Sequence, residues 1–312
     1  MTILLFPGQG SQKVGMARDL ADRFPEAAEV LAAIDGALDT GITPVMWEGS
    51  EEDLTLTHNA QPAILAHSAA VLAVLRPALG SEVVAAAGHS LGEYSAWLAA
   101  GALEAPAAAK LVRRRGALMY EAGQARPGAM AAVLGLEAAA VEAACATAST
   151  EASAVVAANL NAPDQTVISG DPDAVERAGA ACREAGARRV LPLKVSGAFH
   201  SPLMQPAVAG LQEALRVTPF GDPAFPVVAN ATAELVHDRD GAVAMLAEQL
   251  TAPVRWVASM QRLAAEWPDA RWLEIGPGSV LTGMLKRILP GTTCTPIGSA
   301  DEVAAFLEAN PS

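Results

Sequence analysis

The sequence has few aromatic residues, only three cysteines, and no apolar run that we expect to reach the length of a membrane span. Aromatic side chains make up 4% of the 312 residues although 52% are hydrophobic, so small apolar side chains must fill much of the core. Cys145, Cys182 and Cys294 are widely spaced and form no pattern of metal ligands. They are predicted to be buried thiols in a reducing compartment. We therefore expect a soluble, cytoplasmic protein without a membrane partner or a metal.

Basic residues are also scarce. The chain has 21 Lys and Arg against 34 Asp and Glu, which gives a formal net charge of −13. This balance argues against a nucleic-acid partner, because phosphate binding needs a broad basic surface. Local basic patches remain candidates for an anionic ligand or an acidic protein, although each also fits a solvated helix face. The patches are Lys110/Arg113/Arg114/Arg115, Arg183/Arg188/Arg189/Lys194 and Lys286/Arg287.

A pentapeptide with serine at its centre lies between an apolar run and a predicted helix. The run is Val83–Ala87, the pentapeptide Gly88–Gly92 reads Gly-His-Ser-Leu-Gly, and the helix covers Glu93–Ala100. Strand, Gly-x-Ser-x-Gly, helix is the context of a nucleophile elbow. The turn would expose the Ser90 hydroxyl, and the free amides at the helix start, above all that of Leu91, would face an oxyanion. The alternative is an ordinary glycine-rich turn capped by serine.

Histidines are the candidates for the base that activates this serine. The chain has five: His58, His67, His89, His200 and His237. We favour His200, which lies in a loop of small residues at the start of a helix, where the helix amino terminus disfavours an imidazolium and keeps the ring neutral. His67 lies in an apolar helical stretch and is predicted to be a core residue, and His89 is expected to point away from the serine hydroxyl. The other two lie in polar, turn-like segments.

The order of predicted elements indicates an α/β fold in two parts. Short apolar strands such as Ile3–Phe6 are typical of a mostly parallel sheet flanked by helices. After residue 125 the order becomes βαββαβ, the ferredoxin-like unit. We predict a large hydrolase-like domain, residues 1–125 and 197–312, with a small ferredoxin-like domain, residues 126–196, inserted into it. Asn59 and Ser201 are predicted helix caps.

The elbow is shared with α/β-hydrolase esterases and lipases, which are the generic alternative. In that fold the histidine lies close to the carboxyl terminus, whereas more than a third of the chain follows His200. The sequence also has no His-Gly-Gly-Gly stretch to supply the second oxyanion donor. Both features oppose the hydrolase interpretation.

Six segments, in order along nearly the whole chain, resemble motifs of the malonyl-CoA:acyl carrier protein transacylase family of bacterial fatty-acid synthesis and of related polyketide synthase acyltransferase domains. They are Pro7–Gln12, Gly88–Glu93, Arg115-Gly116, Asn159–Gln165, Gly197–Met204 and Glu274–Gly278. The resemblance implies that Ser90 carries the acyl group and that His200 is its base. It also implies that a backbone carbonyl near Gln249 orients the imidazole in place of a carboxylate. The amides of Gln9 and Leu91 would form the oxyanion hole.

The resemblance further implies how the substrate is held. Arg115 would bind the free carboxylate of the malonyl group with its planar guanidinium, a fork that lysine does not match; without the family it is one of three consecutive arginines. The bulky ring of Phe199 would leave no room for an α-methyl group, although it also fits an aromatic packed at the domain seam. Gln249 and Met119 are likewise assigned to the substrate site.

The implied reaction is a ping-pong acyl transfer. Malonyl-CoA acylates the serine, and the phosphopantetheine thiol of holo acyl carrier protein then takes the malonyl group. No cofactor is expected, and the protein is expected to be a monomer. Because the carrier is acidic, we expect it to dock on Lys286/Arg287 and Arg188/Arg189/Lys194. The alternatives are a stand-alone polyketide synthase acyltransferase that uses malonyl-CoA or a related donor, and a non-catalytic subunit that docks the carrier.

Overall fold

The structure is a computed structural model that describes residues 1–310. The strands are β1 (Thr2–Phe6), β2 (Val83–Gly88), β3 (Ala129–Leu134), β4 (Val155–Ala162), β5 (Gln165–Gly170), β6 (Arg189–Pro192), β7 (Val227–Val228), β8 (Leu235–Val236), β9 (Arg271–Ile275) and β10 (Cys294–Ile297). The helices of the first half are α1 (Arg18–Arg23), α2 (Pro25–Ala37), α3 (Thr43–Glu48), α4 (Glu51–Thr55), α5 (Thr57–Leu79), α6 (Gly92–Ala99), α7 (Ala105–Ala125) and α8 (Ala138–Ala148). Those of the second half are α9 (Pro172–Glu184), α10 (Gln205–Val217), α11 (Arg239–Glu248), α12 (Trp256–Glu266), α13 (Val280–Ile288) and α14 (Ala300–Ala309).

A six-stranded sheet forms the centre of the larger part, in the order β10-β9-β1-β2-β7-β8. All neighbours are parallel except β8, which forms a hairpin with β7. Phe6 pairs with Gly88 and Ala87 pairs with Val228, so the loops that follow β1, β2 and β7 leave the sheet at the same edge. Ligand sites of α/β sheets form at this carboxyl edge. The predicted α/β class, with helices packed on a mostly parallel sheet, is confirmed.

A second, antiparallel sheet lies between residues 129 and 192, in the order β4-β5-β3-β6. Helices α8 and α9 pack on it over a separate apolar cluster that includes Val133, Val141 and Ile168. The elements follow one another as β3-α8-β4-β5-α9-β6, which is the predicted βαββαβ order. The boundaries of the two predicted domains, after residues 125 and 196, stay a prediction.

The described residues contain one segment, Thr57–Glu82, that is long and apolar enough to cross a membrane, and the expectation that no run reaches this length is wrong. In its most apolar window 72% of the residues are buried inside the protein. The helix in this segment, α5, packs against α2 and α7. Its apolar character therefore reflects burial on several sides by other helices.

Two further local predictions are corrected. Asn59 does not cap α5, because the helix begins at Thr57; its side chain instead accepts a hydrogen bond from Arg113 Nη1 at 2.5 Å and donates to the Asp53 carbonyl. Cys294 is only half-buried, whereas Cys145 and Cys182 are buried as predicted. The other predicted cap, Ser201, is confirmed: its hydroxyl accepts a hydrogen bond from the Leu203 amide at the start of a 3-10 turn that leads into α10.

Candidate active site

The turn from β2 into α6 forms the predicted elbow. Ser90 has a left-handed backbone, with φ of 51°, a conformation that costs a non-glycine residue energy and is found mainly at functional sites. The two flanking glycines are required sterically. A Cβ on Gly88 would overlap the backbone of Gly92, and a Cβ on Gly92 would overlap the Phe6 carbonyl. The glycine pattern therefore brings the elbow against the end of β1.

Asn230, in the loop after β7, holds the strained elbow in place. Its Oδ1 accepts a hydrogen bond from the Ser90 amide at 2.7 Å, and its Nδ2 donates to the Gly88 carbonyl at 2.7 Å. Both bonds are made by a side chain that is fully buried. A buried amide that is satisfied on both ends fixes the backbone around the serine.

Ser90 Oγ lies 2.8 Å from His200 Nε2, so the structure brings the proposed nucleophile and base together. On the other side of the ring, Nδ1 is 3.0 Å from the Gln249 carbonyl oxygen. A carbonyl oxygen only accepts, so Nδ1 carries the proton and Nε2 is free to accept the serine proton. Gln249 is thus the residue whose backbone orients the imidazole.

His200 is neutral, as predicted, but for a different reason. Burial, followed by the nearby Arg115 charge, lowers its pKa to about 3. His200 is 3% exposed and also has a left-handed backbone, with φ of 55°. Desolvation of the imidazolium, and not the start of the following helix, is the dominant cause.

Arg115 lies on α7, is 1% exposed and turns its guanidinium towards the serine. Nη1 donates to Gln61 Oε1 at 2.8 Å, Nη2 donates to Gln249 Oε1 at 2.8 Å, and Nη2 also reaches Ser90 Oγ at 3.2 Å. The ring of Tyr94 lies 5.4 Å from its central carbon. Among residues 1–310 no carboxylate forms an ion pair with this guanidinium. Its charge is therefore available to an anionic ligand.

The structure distinguishes Arg115 from the two arginines that precede it. Arg113 donates to Asn59 and to the Gly41 carbonyl, away from the serine. Arg114 is half exposed and lies 3.6 Å from Glu121 on the surface. Of the three consecutive arginines, Arg115 is thus the one that is buried and that directs its guanidinium at the serine.

The predicted oxyanion donors, Gln9 and Leu91, both line the cavity that contains Ser90. Within the described part of the chain neither backbone amide donates a hydrogen bond. The loop around Gln9 is braced by the Ser11 hydroxyl, which donates to the Gly8 carbonyl at 2.8 Å. Two unengaged amides on residues that line the cavity of the nucleophile are available as donors to an oxyanion.

A cavity of about 350 Å³ connects these groups. It is lined by seven of the eight residues predicted for the site: Gln9, Ser90, Leu91, Arg115, Met119, Phe199 and His200. The eighth, Gln249, is fully buried behind the cavity wall, where it contacts Arg115 and His200. The lining combines residues of the loops that follow β1 and β2 with Met130, Asn161 and Val167 of the small sheet, so both parts of the fold build the site.

Sequence reasoning assigned no role to several buried polar residues of this network. Glu93 is fully buried; its Oε2 accepts from Gln249 Nε2 at 2.8 Å and from the Asn230 amide at 2.9 Å. Burial raises the pKa of Glu93 to about 7. Gln61, which holds Arg115, also donates to Met119 Sδ at 3.3 Å. Only Glu93 had a local signal, its place next to the Gly-x-Ser-x-Gly segment.

The remaining histidines take no part in the serine–imidazole pair. His89 Nε2 lies 2.7 Å from Asn161 Oδ1, and its ring packs against Trp256, so it points away from the serine hydroxyl as predicted. His67 is a core residue, as predicted, with Nε2 2.7 Å from the Gly298 carbonyl. His58 lies in α5 and not in a polar turn, which corrects that prediction. No group of three or more potential metal ligands occurs among residues 1–310.

Comparison with known proteins places this site in a family. Residues 3–308 match the family described as "Acyl transferase domain". The malonyl CoA-acyl carrier protein transacylase of Bacillus subtilis (strain 168) is 44% identical over 284 residues, which cover 91% of this chain and 89% of that protein. The protein of the same name from Escherichia coli (strain K12) is 41% identical over 304 residues, which cover 97% of this chain and 98% of that protein.

Solved structures of proteins with the same activity in their names are also similar to this chain. An acyl carrier protein S-malonyltransferase from Vibrio cholerae has a TM-score of 0.92 at 39% identity, with coverage of 97% of this chain and 99% of that one. A malonyl-transacylase in complex with its type II polyketide synthase acyl carrier protein has a TM-score of 0.93 at 39% identity, with coverage of 99% of both chains. The predicted acyltransferase enzyme and the predicted family are therefore confirmed: the chain belongs to the acyl transferase family, among the malonyl CoA-acyl carrier protein transacylases.

Proposed function

We propose that this protein transfers the malonyl group of malonyl-CoA to the phosphopantetheine thiol of acyl carrier protein through an ester on Ser90, in support of fatty-acid synthesis. The observation that carries the proposal is the position of Ser90 Oγ between His200 Nε2, at 2.8 Å, and Arg115 Nη2, at 3.2 Å. A nucleophile with its base on one side and an unpaired guanidinium on the other suits an acyl group that ends in a carboxylate. The names of the similar proteins support the same substrates.

In the first half-reaction the serine hydroxyl attacks the thioester carbonyl of malonyl-CoA. His200 Nε2 takes the hydroxyl proton as the Oγ–C bond forms, and the amides of Gln9 and Leu91 stabilise the oxyanion of the tetrahedral intermediate. The intermediate collapses when the C–S bond breaks, and the imidazolium returns the proton to the departing CoA sulfur. The malonyl ester of Ser90 remains.

In the second half-reaction the carrier thiol replaces the CoA thiol. Its sulfur attacks the ester carbonyl while His200 accepts the thiol proton, and the proton then passes to Ser90 Oγ as the ester bond breaks. Throughout, Arg115 holds the far carboxylate, so the acyl chain keeps one orientation. The imidazole is unprotonated at the start of both halves because its pKa is lowered to about 3, so Nε2 is free to accept a proton.

The carrier is proposed to dock near the mouth of the cavity. Of the residues predicted for docking, Arg188 and Arg287 both form ion pairs with Asp164, which neutralises part of their charge. Lys194 lines the cavity, and Lys286 has no ion pair within the described residues. Exposed Leu193 and Val280 line the same cavity and add apolar surface at its mouth. Arg189 is exposed and likewise has no ion pair within residues 1–310, so we propose Lys194, Lys286 and Arg189 as the principal contacts of an acidic carrier.

A second candidate carrier is that of polyketide synthesis. The similar structure in complex with a type II polyketide synthase acyl carrier protein favours it. Both carriers present the same phosphopantetheine thiol, so the chemistry of the site is the same for either. Competition between purified fatty-acid and polyketide carriers for the malonyl-enzyme separates the two: the preferred carrier discharges it faster.

Intact mass spectrometry tests the proposed function. Incubation of the protein with malonyl-CoA should add one malonyl group, and the Ser90→Ala variant should form no adduct. Addition of holo acyl carrier protein should then remove the adduct and produce malonyl carrier. An adduct that persists in Ser90→Ala removes Ser90 from the role, and a protein that takes up no malonyl group refutes the function.

We also propose that the protein acts in the cytoplasm as a monomer without a cofactor. The three cysteines are free thiols, which suits a reducing compartment. Light scattering after size exclusion measures the mass in solution, and activity after extensive dialysis against chelator tests the need for a metal.

A further inference from the structure

Glu93 is a buried carboxylate that touches none of the reacting atoms but contacts two residues that position the elbow, the His200 ring and the Arg115 guanidinium. It lies three residues after Ser90, in the first turn of α6, and is fully buried. Its Oε2 accepts from Gln249 Nε2 at 2.8 Å and from the backbone amide of Asn230 at 2.9 Å. Neither partner lies on α6, so the carboxylate joins the elbow to the loops after β7 and α11.

The direction of these hydrogen bonds fixes the amide of Gln249. Glu93 Oε2 already accepts from the Asn230 backbone N–H, which can only donate, so this oxygen faces Gln249 as an acceptor and the NH₂ end of Gln249 must face Glu93. The same NH₂ group also donates to the Ser90 carbonyl at 3.0 Å. The other end of the amide, Oε1, then faces Arg115 Nη2 and accepts from it at 2.8 Å.

The reversed amide would fail at both ends. An NH₂ group turned towards Arg115 would place donor against donor, because a guanidinium has only donors, and a carbonyl oxygen turned towards Glu93 would place acceptor against acceptor. Since Gln249 and Arg115 are both buried, neither mismatch could be relieved by water. The orientation of the Arg115 guanidinium thus depends on the Glu93 carboxylate, which acts on it through Gln249.

We infer that Glu93 is a positioning residue that fixes the Gln249 amide and, through it, the guanidinium that receives the carboxylate of the acyl donor. The inference rests on the proposed function, because it assigns the malonyl carboxylate to Arg115. It predicts that loss of the Glu93 carboxylate harms a donor with a carboxylate more than one without. A merely structural role would slow both donors alike.

The test compares single-turnover acylation by malonyl-CoA and by acetyl-CoA, followed by intact mass. Glu93→Ala should lower the malonyl-to-acetyl rate ratio by about 10- to 100-fold, the equivalent of one hydrogen bond to a charged group. Glu93→Gln keeps an acceptor oxygen and should restore most of this ratio. Glu93→Asp keeps the charge but shortens the side chain by one methylene, so the carboxylate is withdrawn from Gln249 while the core is nearly unchanged. This variant should also lower the malonyl-to-acetyl ratio, and it provides the test if Glu93→Ala fails to fold.

A double-mutant comparison shows whether Glu93 acts through Gln249. In a Gln249→Ala background, Glu93→Asp should cause no further fall in the ratio, because its effect is already lost. Asp171→Asn is the matched control: it removes another buried carboxylate, between β5 and α9, and should leave the ratio unchanged. The inference is overturned if Glu93→Asp retains the wild-type ratio, slows both donors equally, or lowers the ratio as much without Gln249. Failure of the proposed function is separate, since the wild-type protein would then form no malonyl-enzyme.

Discussion

Replacement of Arg115 by lysine or alanine is the sharpest test of how the site reads its substrate. Both terminal nitrogens of the guanidinium are held in the structure, Nη1 by Gln61 and Nη2 by Gln249, at 2.8 Å each, and Nη2 also reaches Ser90 Oγ. The fork is therefore prepositioned beside the nucleophile. An ammonium group keeps the charge but cannot present two parallel donors to a carboxylate.

The expected cost follows from the number of hydrogen bonds lost. A hydrogen bond to a charged group contributes about 1.5–3 kcal/mol, so Arg115→Lys, which loses one of two, should cost about 1.5–3 kcal/mol of transition-state stabilisation. Each 1.4 kcal/mol is about tenfold in rate, which gives about 10- to 100-fold in kcat/KM for malonyl-CoA. Arg115→Ala loses both bonds, and a cost of about 3–6 kcal/mol predicts a loss of 100-fold or far more.

The assay is kcat/KM for malonyl-CoA and for acetyl-CoA with each variant. Acetyl-CoA has no carboxylate, so Arg115→Lys should change its transfer much less than malonyl transfer. Arg114→Ala is the matched control, because Arg114 is the adjacent residue on α7, is half exposed and pairs with Glu121 on the surface; it should leave both donors unchanged. Equal losses for the two donors in Arg115→Lys would refute the assignment of Arg115 to the malonyl carboxylate.

Three further predictions address the base, the carrier and the stability of the core. His200→Ala should leave the circular dichroism spectrum intact and slow acylation by about a hundredfold or more; a near-normal rate would point to another base. Lys286→Glu should raise the KM for acyl carrier protein, most strongly at low salt, and an unchanged KM would show that the carrier docks elsewhere. Burial lowers the pKa of His67 to about 4, so below pH 6.5 the unfolded chain binds a proton that the folded protein does not, and stability falls as the pH drops towards 4. Glu93, with a raised pKa, opposes this trend. The readout is therefore the difference between the wild type and His67→Asn in the free energy of unfolding, measured in urea at several pH values. Plotted against pH, this free energy should rise less steeply in the variant, by up to about 1.4 kcal/mol per pH unit. An equal pH dependence of the unfolding free energy in the two proteins would contradict this prediction.

Features set by neighbouring residues were predictable from the sequence. The strand, the elbow and the helix around Ser90 follow from a local apolar run and from glycines that leave room for Phe6 and Gly92. The βαββαβ order of the small sheet likewise follows from the periodicity of short segments. The caps show where local reasoning ends: Ser201 behaves as predicted, whereas Asn59 lies inside α5, where its side chain bonds to Arg113, 54 residues away.

Features set by distant residues were not predictable from composition or spacing. The roles of Asn230 and Gln61 depend on hydrogen bonds to residues 140 and 54 positions away, and a single glutamine or asparagine leaves no pattern in the sequence. The choice of Arg115 from three consecutive arginines depends on which face of α7 is buried. The resemblance to a family supplied Arg115 and Gln249, and it said nothing of why these side chains point where they do.

The network also explains why no carboxylate accepts from His200. An aspartate in contact with Nδ1 would lie close to Arg115, since Gln249 touches both the imidazole and the guanidinium, and would compete with the acyl carboxylate for that cation. A backbone carbonyl orients the same tautomer without a negative charge. The carboxylate of Glu93 is separated from Arg115 by the Gln249 amide, and burial raises the pKa of Glu93. The site thus keeps Arg115 as an unpaired cation, and the charge of Arg115 adds to burial in making the imidazole of His200 a weak base. A carboxylate bound at Arg115 would offset this charge, which disfavours the imidazolium. A charged acyl donor would in this way help to strengthen the base that activates the serine.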